Sequence, residues 1–170
     1  MKKNQVTKLA FLGVFTALAL VLSYVESQLP PIWTAVPGIK MGLPNIIIII
    51  LLYKLGVKEA ATVSLIRVLF SSFLLFGSGM MLIYSVVGAG LSLILMTICK
   101  KLNLFSTVGV SIVGGISHNL GQILVAIALF ETTQLGYYMI ILAVTGTVAG
   151  VFIGLAGSLL LKRLEKVKMN

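Results

Sequence analysis

Apolar residues run along this chain in six blocks: about Lys8 to Val25, Gly42 to Leu55, Val57 to Phe76, Met80 to Cys99, Val108 to Phe130 and Tyr137 to Leu161. At about 1.5 Å of helical rise per residue, a block of about 18 to 20 residues crosses a hydrocarbon core of about 30 Å. The second block is the exception, because Leu43 to Leu55 would reach only about 20 Å as a helix and must begin inside the membrane. The pattern predicts an all-α membrane protein, a single bundle of six transmembrane helices forming one integral membrane domain over residues 1–170. The first block has no small-residue cleavage site after it and five more follow, so it is expected to stay as a span and not to be a removable signal peptide.

The four prolines, Pro30, Pro31, Pro37 and Pro44, lie together with Gly38 and Gly42 between the first two blocks. Proline removes a backbone donor and biases its predecessor to extended geometry, so an irregular Pro/Gly-rich outer loop is predicted between helices 1 and 2. Non-helical backbone at membrane depth is tolerated only against protein or a water-filled cavity. Lys40, in that loop, therefore either reaches the bundle mouth as part of a lid or snorkels at the surface.

Composition agrees with a membrane protein: 59% of residues are hydrophobic and 10% charged, against about 25% charged in soluble domains. The net charge of +9 comes from lysines and arginines dispersed among short loops, not from one stripe, which argues against nucleic acid as a partner. Lys2, Lys3 and Lys8, then Lys54 and Lys58, then Lys100 and Lys101, and finally Lys162, Arg163, Lys166 and Lys168 fall at the same end of an alternating six-span path. By the positive-inside rule both termini are expected in the cytoplasm, in a multi-pass protein of a bacterial-type cytoplasmic membrane. Trp33, Tyr137 and Tyr138 suit an outer interfacial belt.

Polar residues inside the apolar blocks are the candidates for function. Arg67 sits mid-block, where a charge costs about 2.5 to 3.5 kcal/mol on insertion scales and is normally turned toward a partner or ligand. The chain has no aspartate, and Glu26, Glu59, Glu131 and Glu165 fall at or beyond block ends, so no carboxylate is expected to neutralise it. In the fifth block His118 and Gln122 share a helix face with Asn119 beside them. Arg67 and His118 both lie about ten residues from the inner start of their spans and should share one height. Tyr84 and Asn45 would join them in an outward-facing cavity with a cationic floor. The residues leave two readings of Arg67 open, a ligand contact or a bond to backbone carbonyls, and Asn119 or Gln122 alone would serve as interhelical glue.

Small residues recur at packing intervals. Gly146, Gly150 and Gly154 form two overlapping Gly-xxx-Gly steps suited to helix packing within the chain, and Gly13 with Ala17 forms a small-xxx-small step suited to a partner interface. One histidine, one cysteine (Cys99) and four peripheral glutamates supply neither a metal site nor a two-carboxylate hydrolase. No Walker-type phosphate loop is present. No catalytic residue is assigned, and the chain is expected not to be an enzyme.

The segments PGIKMGLPN (Pro37 to Asn45), RVLFSSFLLFG (Arg67 to Gly77) and GVSIVGGISHNLGQ (Gly109 to Gln122) resemble the Gx transporter family, often labelled heptaprenyl diphosphate synthase component I. The resemblance runs from about residue 7 to residue 162. The family is similar to the S components of energy-coupling factor transporters, six-helix proteins that capture a small substrate from outside. That likeness implies an S-component-like bundle and assigns Gly13 and Ala17 to docking on a transmembrane coupling subunit that works with ATPases. Members also resemble the membrane component encoded with flavinylated extracytoplasmic proteins in extracellular electron transfer. A catalytic prenyl synthase is not implied, because such enzymes bind Mg²⁺ through aspartate-rich motifs and this chain has no aspartate.

The leading expectation is a substrate-binding membrane transport subunit with Lys40 and Arg67 as cationic contacts and Asn45, Tyr84, His118, Asn119 and Gln122 as further ligand-binding residues. A mostly apolar cavity with few polar groups would match an amphiphilic isoprenoid or a quinone-related ligand. The alternatives are a quinone-binding subunit that passes electrons to an extracytoplasmic flavoprotein, and a non-catalytic accessory subunit of a prenyl diphosphate synthase.

Overall fold

In a computed structural model the described residues, 2–29, 42–74, 79–131 and 136–165, form six α-helices without a strand among them. They are α1 (Lys2–Gln28), α2 (Asn45–Lys54), α3 (Val57–Leu74), α4 (Gly79–Lys101), α5 (Thr107–Phe130) and α6 (Tyr138–Glu165). Four of them, α1, α4, α5 and α6, are long and apolar enough to cross a membrane. Helix α3 has 18 residues but carries Lys58, Glu59 and Arg67, and α2 has 10. Lys40, Trp33 and the first three prolines lie outside the described residues, as do Lys166 and Lys168.

The short α2 is the centre of the bundle. Six consecutive side chains, Ile47 to Leu52, are buried, which requires cover on every side of the helix. Helices α1, α3 and α6 pack around it. Its last turn is held by a lysine from α4: Lys100 Nζ donates to the Leu52 carbonyl at 2.5 Å and sits 4.9 Å from the Tyr53 ring centroid. Ammonium groups at a helix C-terminus satisfy carbonyls that lack intrahelical donors and oppose the helix dipole. Lys54 Nζ in turn donates to the Leu164 carbonyl at 2.9 Å, and Lys8 pairs with Glu59. These contacts gather the basic ends of α1, α2, α4 and α6 at one end of the bundle. Helix α2 reverses into α3 within two residues because Gly56 adopts φ +121°, a conformation that L side chains resist.

Helices α5 and α6 meet through glycine. A Cβ on Gly146 would lie 2.8 Å from the Gly115 carbonyl oxygen, one on Gly150 2.6 Å from the Ile112 Cα, and one on Gly154 2.7 Å from the Val108 Cα. The three glycines let the two backbones touch, which is how helices gain packing energy where lipid removes the hydrophobic incentive. Helix α1 turns Phe15, Ala19, Ser23 and Glu26 toward the bundle in one stripe. Gly13 and Ala17 are exposed on the opposite side, and a Cβ at Gly13 would meet nothing within 4 Å.

The location of Glu26 corrects the sequence reading, which put it at or beyond the end of the first apolar block. The helix continues to Gln28, and Glu26 faces inward and is buried. Its carboxylate accepts from the backbone N–H groups of Gly42 and Leu43, the latter at 3.3 Å, so it anchors the chain just ahead of α2.

Candidate functional site

Arg67 lies ten residues into α3, His118 eleven into α5, and Asn45 nine residues back from the basic end of α2. With about 1.5 Å of rise per residue these positions stand about 14 to 17 Å above the basic end of the bundle. A cavity opens at that height. Ser23 and Glu26 of α1, Gly42 and Asn45 at the start of α2, Arg67, Val68 and Ser71 of α3, Ser85 of α4, and His118 and Gln122 of α5 line it. Its volume of about 40 Å³ holds about three waters at 10–15 Å³ each.

Four sequence-predicted residues, Asn45, Arg67, His118 and Gln122, thus share one cavity. Arg67 is 8% exposed, and its Nε is buried without a hydrogen-bond partner among the described residues. Two candidates do not line the cavity. Asn119 is buried but turned toward α6, where its Nδ2 donates to the Leu142 carbonyl at 2.8 Å; one residue along a helix is a rotation of about 100°, which carries it off the His118 face. Tyr84 is half-buried on α4 and is displaced from the lining by the same rotation, with its neighbour Ser85 there instead. Lys40 lies outside the described residues.

Two expectations need correction in chemistry as well as position. The cavity was expected to be mostly apolar, yet Val68 is its one apolar side chain among the described lining residues. Asn45, Arg67, His118 and Gln122 share one inner surface with Glu26 and the serines Ser23, Ser71 and Ser85, where they are spared costly contact with lipid. Arg67 was expected to lack an acidic neighbour. Glu26, 9% exposed, lines the same cavity and interacts electrostatically with it.

Sequence reasoning also missed Gly88. A Cβ there would lie 2.9 Å from the His118 carbonyl oxygen, 3.1 Å from Gln122 Cγ and 3.2 Å from His118 Cε1. This glycine makes the room in which the two side chains stand. Its spacing from other small residues in α4 gave no hint of that, whereas Glu26 shares the face of Phe15, Ala19 and Ser23 and could have been found by periodicity. No group of three His, Cys, Asp or Glu side chains able to hold a metal occurs among the described residues.

A sequence profile described as heptaprenyl diphosphate synthase component I matches residues 15–160. The chain belongs to this family. The match includes every residue lining the cavity, from Ser23 to Gln122, and leaves Gly13 just outside. Component I family membership describes a subunit of a multi-component system. No curated protein and no solved structure gave a match.

Proposed function

We propose that this protein is a non-catalytic membrane subunit that captures a small polar or anionic molecule in the Arg67 cavity, in the manner of a transport S component. The observation that carries this reading is the convergence of a buried arginine, a histidine and two amides from three helices on one polar cavity at mid-bundle height. Burying such groups is costly unless they meet a partner, and a ligand group that accepts hydrogen bonds would supply one for the guanidinium. All six helices would span the membrane, α2 as a half-length span inside the bundle, with both termini cytoplasmic and the cavity opening outward. The face at Gly13 and Ala17 would dock on a transmembrane coupling subunit that works with ATPases.

The lining supports a compact polar ligand over an isoprenoid chain or a quinone, since most of its surface is polar and Val68 is its one apolar side chain among the described residues. Mass spectrometry of small molecules extracted from the purified protein tests this. A small polar or anionic molecule should accompany wild type and be missing from Arg67→Met. A quinone bound equally by both would favour the electron-transfer alternative with a flavoprotein partner, and a prenyl phosphate would favour the accessory-subunit alternative. For topology, a cysteine introduced at Leu104 in a Cys99→Ser background should resist an impermeant reagent applied from outside; ready labelling would reverse the orientation.

A further inference from the structure

We propose that the cavity takes a small planar monoanion together with one proton, and that Glu26 receives the proton. This deepens the proposed function and rests on the cavity being a ligand site. Arg67 and Glu26 line one cavity at mid-bundle height, both more than nine-tenths buried. In the empty protein the guanidinium is balanced by that one carboxylate, which is itself held by the Gly42 and Leu43 N–H groups. The charged and titratable groups facing Glu26 across the cavity among the described residues are Arg67 from α3 and His118 from α5; the α2 and α4 lining, Gly42, Asn45 and Ser85, is neutral.

An anion that docks on Arg67 brings a second negative charge against Glu26 in a setting of low dielectric. Two carboxylate-like groups sharing one site cannot both stay ionised, and one of them takes a proton. A ligand of the required kind is the conjugate base of an acid markedly stronger than a glutamic carboxyl, so the proton goes to Glu26. The balance is simple. Arg67⁺ with Glu26⁻ becomes Arg67⁺ with the anion and a neutral Glu26 carboxyl; one O–H bond forms on Glu26 as one breaks in the hydronium ion or buffer acid of the surrounding solution that gives up the proton. Arg67, Glu26 and the anion together carry no net charge, as Arg67 and Glu26 do without it, which avoids the cost of an unbalanced charge at membrane depth. The neutral carboxyl still accepts from backbone N–H, though less strongly than the carboxylate does.

Nitrate is a suitable probe, since it is a planar monoanion that matches a guanidinium fork and does not itself titrate near neutrality. Nitrate added to purified, weakly buffered protein with a pH indicator should be bound with uptake of one proton. Its affinity should rise about tenfold for each pH unit lowered while Glu26 is ionised in the empty protein and protonated in the loaded one. In Glu26→Gln the uptake should vanish and the affinity become independent of pH. His118→Gln should weaken nitrate but keep the proton. Nitrate binding to wild type without proton uptake overturns the proposal, needing no variant to fold, and leaves the cavity a ligand site if Arg67→Lys weakens that binding. Uptake that persists in Glu26→Gln and disappears in His118→Gln also overturns it. Absence of saturable nitrate binding overturns it too, while a co-purifying molecule lost in Arg67→Met would preserve the broader reading.

Discussion

Replacing Arg67 by methionine should destabilise the protein, and neutralising Glu26 in the same chain should restore it. Both side chains are buried in one cavity, so removing the cation leaves a carboxylate without its compensating charge. Breaking a buried pair by deleting one member costs about 3 to 5 kcal/mol. Protonation limits the loss here: adding a proton to an ordinary carboxylate at neutral pH costs about 3.7 kcal/mol, from roughly 2.7 pH units at about 1.36 kcal/mol each. Arg67→Met should therefore lose up to about 3 to 4 kcal/mol at pH 7, falling to about 1 kcal/mol near pH 5 as Glu26 takes the proton. Sign follows from the carboxylate: the penalty exists only while Glu26 is ionised, so acid relieves it. Arg67→Met with Glu26→Gln should recover most of the stability and lose the pH dependence. Reversible unfolding in bicelles, followed by steric trapping at both pH values, measures the cycle. Equal stability of Arg67→Met and wild type at neutral pH, or no rescue by Glu26→Gln, would refute the pairing.

Other perturbations test the packing, the cavity and the partner surface. Gly150→Ala should cost about 1 to 3 kcal/mol because its Cβ would stand 2.6 Å from the Ile112 Cα, whereas Gly90→Ala, with nothing within 4 Å, should be neutral or stabilising in the same unfolding assay; equal effects would contradict the α5–α6 contact. Gly88→Ala should displace His118 and Gln122 and lower retention of the co-purified molecule, and unchanged retention would show that those two side chains do not contact it. Gly13→Leu with Ala17→Leu should abolish recovery of a membrane partner while leaving the melting temperature of the subunit unchanged, since both positions are exposed. Undiminished recovery of the complex would move the interface elsewhere.

The helices were legible because lipid leaves a strong signature: α4 and α5 differ by only one or two residues from the blocks read as Met80 to Cys99 and Val108 to Phe130. Depth was legible too. Helical rise is constant, so counting residues from the basic ends set Arg67 and His118 at one height without knowledge of how the helices pack. Rotation about each helix was harder. Asn119 has the right depth but points elsewhere, Tyr84 lies further from the basic end and gives way to Ser85 in the lining, and only the neighbouring helix decides which of two adjacent polar residues faces the cavity. Glu26 was missed for a different reason: the first block was ended at Val25, so its place on the face of Phe15, Ala19 and Ser23 went uncounted, and only the backbone it anchors, Gly42 and Leu43, reveals its role. The polar character of the cavity could not be read from blocks that are apolar on average.

The central claim is that Arg67 recognises the captured molecule directly, and its affinity for the stable Arg67→Met, Glu26→Gln double variant tests that most directly. Folding and ligand recognition are separated in this protein, because Glu26→Gln removes the charge imbalance that would otherwise unfold it. Equilibrium binding of the molecule identified by mass spectrometry should weaken by at least about 100-fold, the loss of roughly 2.7 kcal/mol expected for a buried charge-assisted contact. Arg67→Lys should fall between the two, by about tenfold or more, because the charge stays and the planar fork is lost. Wild-type affinity in the folded double variant would contradict the account.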